Sequence, residues 1–124
     1  MILRIKSKNE EVKSYTEDIK RAVKNIVARL KIQSIKLDIN LVDHINTKAS
    51  GLLEKDVNGI FQIYVKVNGR YLSSVIESLR HELYHLYQLK NDYSMDYEMM
   101  ISDYNRSKQV IEDEAKRFSK DGRL

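Results

Sequence analysis

Leu79-Arg80-His81-Glu82-Leu83-Tyr84-His85-Leu86-Tyr87-Gln88-Leu89 is the stretch around which the rest of the chain reads. Leu72, Val75, Ile76, Leu79, Leu83 and Leu86 recur at helical spacing, so the segment is predicted to be a helix with one buried stripe. On a helix His81 and His85 stand one turn apart on a single face, with Glu82 beside them. At about 100° per residue the two histidines fall opposite the apolar stripe, in line with Ser74 and Ser78. A pair facing away from the core is therefore expected, with small residues leaving that side of the helix open. The helix is predicted to begin between Arg70 and Val75, where Ser74 and Glu77 fit a capping box.

His-Glu-x-x-His on a helix is the main part of a hydrolytic zinc site. Such a site takes three protein ligands and leaves one position for water. Imidazoles at i and i+4 reach a common point, and the intervening glutamate stands close without ligating. The metal acidifies the water, and Glu82 can take its proton and pass it to a leaving amine, which is amide hydrolysis. The bland alternative is a solvated helix on which these are ordinary surface residues. Against it, the chain has only three histidines and two fall at the needed spacing, flanked by uncharged Leu83, Tyr84, Leu86 and Tyr87. The third, His44, sits in a predicted loop and reads as a surface residue.

A third ligand has to come from elsewhere. With no cysteine in 124 residues, only histidine and carboxylate are available. Downstream, Val110, Ile111, Ala115 and Phe118 give an apolar face to a last helix within residues 95–120. Glu112 and Glu114 flank that face on opposite sides, so periodicity leaves both open as ligands.

Upstream the pattern changes twice. Ile2, Leu3 and Ile5 form a short β-prone start, ended by Ser7 and Asn9, either of which suits a helix cap ahead of Glu10 and Glu11. Val12, Tyr15, Ile19, Ala22, Val23, Ile26, Val27 and Leu30 then define an amphipathic packing helix over residues 10–31. Ile35, Leu37, Ile39 and Leu41 alternate with Lys36, Asp38 and Asn40, a half-buried strand whose polar face meets water or a neighbouring element. Gly51 to Glu54 reads as a short strand before a turn at Lys55 to Gly59. Phe61, Ile63, Val65 and Val67 make another strand, closed by Asn68-Gly69.

Composition narrows the class. At 42% hydrophobic and 32% charged residues, the chain is an ordinary soluble mixture of single-domain size, and 1–124 is read as one domain. No apolar run is long enough to cross a bilayer, and Met1 to Lys8 is too short and too charged for a secretory signal, so a cytoplasmic location without membrane association is expected. The net charge of +4 comes from scattered Lys and Arg among 18 acidic residues, with no basic stripe, so nucleic acid is not indicated as the partner.

His81-Glu82-Leu83-Tyr84-His85 followed by Glu112-Asp113-Glu114-Ala115-Lys116-Arg117-Phe118 resembles the gluzincin branch of the zincin metallopeptidases, in particular the minigluzincins and the ImmA/IrrE-like peptidases. By motif the resemblance covers the second half of the chain, and by element order the first. It implies Glu112, three before the alanine, as the third zinc ligand, with Glu114 as runner-up. It also implies an α+β zincin-like fold: a small, mostly antiparallel sheet with a backing helix, an active-site helix and a C-terminal helix. Gly51 to Glu54 would then be the edge that pairs with an extended peptide. The family's outer-shell acid falls on Lys116, which leaves Asp103 or a backbone carbonyl to orient a ligand histidine. No histidine follows His85 to stabilise an oxyanion; Tyr93, Tyr97 or Tyr104 could donate instead, but core or surface packing is the favoured reading of each. The function expected is zinc-dependent hydrolysis of a peptide or protein substrate, with His81, His85 and Glu112 as ligands and Glu82 as general base. The alternatives are a zincin-like protein that binds peptide with little or no cleavage, and a basic nucleic-acid-binding regulator.

Overall fold

The computed structural model describes residues 2–7, 14–32, 35–45, 49–89 and 107–121, with side chains over 3–7, 14–32, 35–45, 49–89 and 112–120. Its elements are β1 (Ile2–Ser7), α1 (Thr16–Leu30), β2 (Lys36–Val42), β3 (Gly51–Lys55), β4 (Phe61–Lys66), α2 (Leu72–Tyr87) and α3 (Ser107–Asp121). The fold is α+β, and the strands stand in the order β1-β2-β4-β3.

The expectation of a mostly antiparallel sheet is corrected. β1 pairs with β2 in parallel, β2 with β4 in parallel, and only β3 with β4 is antiparallel. Two causes are visible in the connections. A helix lies between β1 and β2, and a strand–helix–strand unit returns the chain in the same direction. β3 then sits outside β4 and closes a tight hairpin with it, which leaves β4 running alongside β2. Asp56 shapes that hairpin, its Oδ1 accepting from the backbone N–H groups of Asn58 at 2.8 Å and Ile60 at 3.0 Å. Gly59 follows at φ 78°, a left-handed conformation that glycine takes without strain.

Register puts the apolar face on one side. Ile5 lies opposite Ile39, Ile39 opposite Ile63, and Ile63 opposite Leu53, a row of branched side chains across all four strands. With Leu37, Leu41 and Val65 they join Ile19, Val23, Val27 and Leu30 of α1 and Val75, Leu79, Leu83 and Leu86 of α2 in one buried cluster. α2 packs against α1, β3 and β4, and α3 packs against α2. Tyr84 stacks on Phe118 at 5.0 Å between ring centres, and Ala115 is buried in the same cluster. The motif helix is therefore the central element.

The other face of the sheet is polar but not simply wet. Asp38 is only 2% exposed. Both its oxygens accept from the Arg4 guanidinium at 2.9 Å, and Oδ2 accepts from Gln62 Nε2 at 2.8 Å. These bonds, the one from Arg4 first, hold its carboxyl below the usual carboxylate range.

The capping residues differ from expectation, although α2 starts at Leu72, within the expected Arg70 to Val75. α1 begins at Thr16 after Tyr15, which makes no side-chain cap bond, and Ser7 is the last residue of β1 rather than a cap. Asn9 to Val12 lie outside the described residues, as do Tyr93, Tyr97, Asp103, Tyr104 and the side chains of Val110 and Ile111. α1 stops at Lys31, whose φ of 57° turns its N–H back to Ala28 O while Ile32 N–H reaches Val27 O. α2 is capped by extended Tyr71 without a side-chain bond, so the Ser74–Glu77 box is not formed and Ser74 lies inside the helix. Arg70 fastens this end instead, donating to Lys66 O at 2.7 Å and to Ser74 O and Ser78 Oγ at 2.8 Å. Among the described residues no helix is long and apolar enough to cross a membrane.

Candidate metal centre

Helix α2 delivers the His81–Glu82–His85 set, and its two faces do different work. The apolar stripe faces the sheet and α1. The side that carries the histidines is only partly open: His85 is 7% exposed and Glu82 6%, whereas the side chains of His81 and Glu112 remain 23% and 34% exposed. α3 packs there, and the start of β3 approaches from the sheet edge. Periodicity marks which residues share a face and is silent on what packs against it.

Three side chains converge in this partly covered space. His81 Nε2 and His85 Nε2 are 3.2 Å apart, with the rings edge-to-face. From α3, Glu112 brings Oε2 to 3.3 Å from His81 Nε2 and Oε1 to 3.0 Å from His85 Nε2. One donor atom from each residue can be chosen with all of them within 4.8 Å of one another. Tetrahedral zinc with bonds of about 2.0–2.1 Å separates neighbouring ligand atoms by roughly 3.4 Å, close to the spacing of the two imidazole nitrogens. The donor set is also chemically apt, two borderline nitrogens and a hard oxygen.

Electrostatics couple the three. Bonds to His81 and His85 hold the Glu112 carboxyl well below its ordinary range. Burial alone would lower the His85 pKa, but the bond to Glu112 and the charges of Glu82 and Glu112 outweigh it, so the imidazole is held above its usual value.

Glu82 is not part of this triangle. Burial raises its pKa, opposed by the neighbouring histidines. Its Oε2 is buried without a hydrogen-bond partner, the one such side-chain atom among the described residues. A buried carboxylate oxygen left unpaired costs about 1–3 kcal/mol or more, so a donor is wanted there. Its other side abuts Gly51: a Cβ on that residue would lie 3.0 Å from Glu82 Cγ. Ser50 Oγ and Ser78 Oγ, 3.2 Å apart, tie the start of β3 to α2 one turn before Glu82. The sheet edge is thereby held against the glutamate.

Glu114, the competing ligand, does another job. It accepts from Gln88 Nε2 at 3.1 Å, and Gln88 Oε1 lies 2.9 Å from His85 Nδ1. Gln88 is fully buried, where the helix widens into a π-type turn. Sequence reasoning missed it, although a residue three after His85 must share the histidine's face. Lys116 is exposed, and so is His44, as its predicted loop implies.

No family model, curated protein or solved structure matches the chain.

Proposed function

We propose that this protein is a zinc-dependent peptidase of the zincin type, in which His81, His85 and Glu112 hold the metal and Glu82 is the general base. The observation that carries it is the unpaired, buried Oε2 of Glu82 beside the His–His–Glu triangle and the edge strand. Zinc bound there would supply a Lewis acid that acidifies water and polarises a peptide carbonyl. The chain's own part is to place a proton acceptor and a substrate. Glu82, with its pKa raised by burial, takes a proton from the attacking water and returns it to the departing amine. Among the described residues β3 ends the sheet order, and it is there that an extended peptide would add as a further strand. Gly51 then sets that peptide next to Glu82.

The test is metal analysis together with cleavage of unstructured protein substrates by wild type and Glu82→Gln. One zinc in both proteins, with cleavage in the wild type only, is the expected result. Zinc in both without cleavage of any substrate would move the function to peptide binding. Salt-sensitive DNA binding by a protein that takes up no zinc would falsify the proposal.

A further inference from the structure

We propose that Glu114 and Gln88 form a carboxylate–amide relay that holds His85 in the tautomer with its proton on Nδ1, leaving Nε2 to face the triangle of donors. This rests on the zinc reading: a metal at Nε2 would replace the proton that Nε2 otherwise donates to Glu112, and the one proton left on the ring is then the one on Nδ1.

Only one member of this chain of bonds has a fixed polarity. An ionised carboxylate only accepts, so Glu114 Oε2, 3.1 Å from Gln88 Nε2, requires the amide's NH2 end to face it. The Gln88 side chain cannot then present a donor to His85. Its Oε1 faces Nδ1 at 2.9 Å, and an amide oxygen only accepts, so Nδ1 has to carry a proton. With a proton fixed on Nδ1, Nε2 is the nitrogen left for a metal; it lies 3.2 Å from His81 Nε2 and 3.0 Å from Glu112 Oε1, to which it donates while it too is protonated. The opposite tautomer would set a lone pair against the Gln88 carbonyl oxygen in a site closed to water. Gln88 is fully buried, so no solvent can relieve that clash.

The relay also joins two helices. Gln88 follows α2, and Glu114 lies on α3 two positions from Glu112. The helix that supplies the third ligand thus also orients the second histidine. Gln88 and Glu114 are positioning residues: they act on a metal through His85. Outer-shell partners of this kind typically change metal affinity by about 10–100-fold.

Because Gln and Glu are nearly isosteric, polarity can be changed without changing volume. Gln88→Glu sets two carboxylates against each other. Glu114→Gln removes the acceptor that fixes the amide. The double variant, Gln88→Glu with Glu114→Gln, restores a complete chain, since Glu at 88 accepts from both His85 and the new amide. Expected zinc affinities, from chelator competition, are a loss of about tenfold or more in Gln88→Glu, a smaller loss in Glu114→Gln, and recovery in the double variant. Nitrogen-15 NMR of the imidazoles in the zinc-loaded protein is expected to show His85 protonated on Nδ1 in the wild type and in the double variant. Wild-type His85 with its proton on Nε2 would overturn the relay, as would wild-type zinc affinity in all three variants. Zinc bound with the His85 proton on Nε2 sinks the relay and leaves the zinc reading standing, whereas a wild type that binds no zinc sinks both.

Discussion

At the scale of single residues, a glycine decides how near the sheet comes to the glutamate. Gly51 brings β3 to a distance at which a methyl group would meet Glu82 Cγ at 3.0 Å, tighter than an unstrained contact. Gly51→Ala is expected to destabilise by about 1 kcal/mol in urea unfolding. Displacing Glu82 in this variant is expected to lower peptide cleavage by roughly tenfold, with zinc affinity little changed. Equal loss of zinc and cleavage would show that the methyl group disturbs the histidines instead. Asp38 makes a different point. Its carboxyl is depressed by Arg4 first and by Gln62, so its contribution is complete above the unfolded carboxylate value of about 3.9 and is lost as pH falls through its lower folded value. Asp38→Asn is expected to lose about 1–2 kcal/mol at neutral pH, and the gap from wild type is expected to close in acid. Glu112 is depressed as well but is common to both proteins, so the difference isolates Asp38.

At the scale of elements, the described side chains of α3 attach it to α2 by both apolar and polar contacts. Ala115 and Phe118 bury against α2, with Phe118 stacked on Tyr84. Glu112 and Glu114 are one helical turn or less from that contact and reach the two histidines and Gln88. Among the described side chains of α3 the others are polar, so Phe118 is the largest apolar one docking it. Phe118→Ala is expected to cost about 3 kcal/mol. Zinc affinity should fall with it, while Phe118→Leu should retain most of both; calorimetry and chelator competition measure the pair. An unaltered zinc affinity in a destabilised Phe118→Ala protein would mean that Glu112 is not a ligand.

At the scale of the molecule, the two halves of the chain are joined through α2. The sheet and α1 close one side of it and α3 the other, so a metal held by His81, His85 and Glu112 ties α2 to α3. Binding only to the folded state stabilises it by mass action, about 2.7 kcal/mol at a hundredfold excess over Kd. Zinc is therefore expected to raise the melting temperature by several degrees, reversibly with a chelator, and His81→Ala is expected to remove the rise. A zinc-independent melting temperature in the wild type would count against the ligand set.

Local sequence determined much of this protein. Alternation placed the strands, helical spacing placed α2 and its stripe, and His-Glu-x-x-His put three chemical groups on one side of it, because each is a relation between residues a few positions apart. The choice between Glu112 and Glu114 lay beyond periodicity, since both flank the same apolar face. Docking of α3 assigned them different neighbours, Glu112 at both imidazoles and Glu114 at Gln88. Strand direction was misjudged for a similar reason. Alternation in β2 and β4 is the same for either direction, and only the crossover through α1 and the placement of β3 outside β4 made them parallel. Burial of His85, Glu82 and Asp38 likewise depends on residues far away in the chain. Chain-neighbour geometry sets which side chains share a face, and only packing between distant segments sets what that face meets.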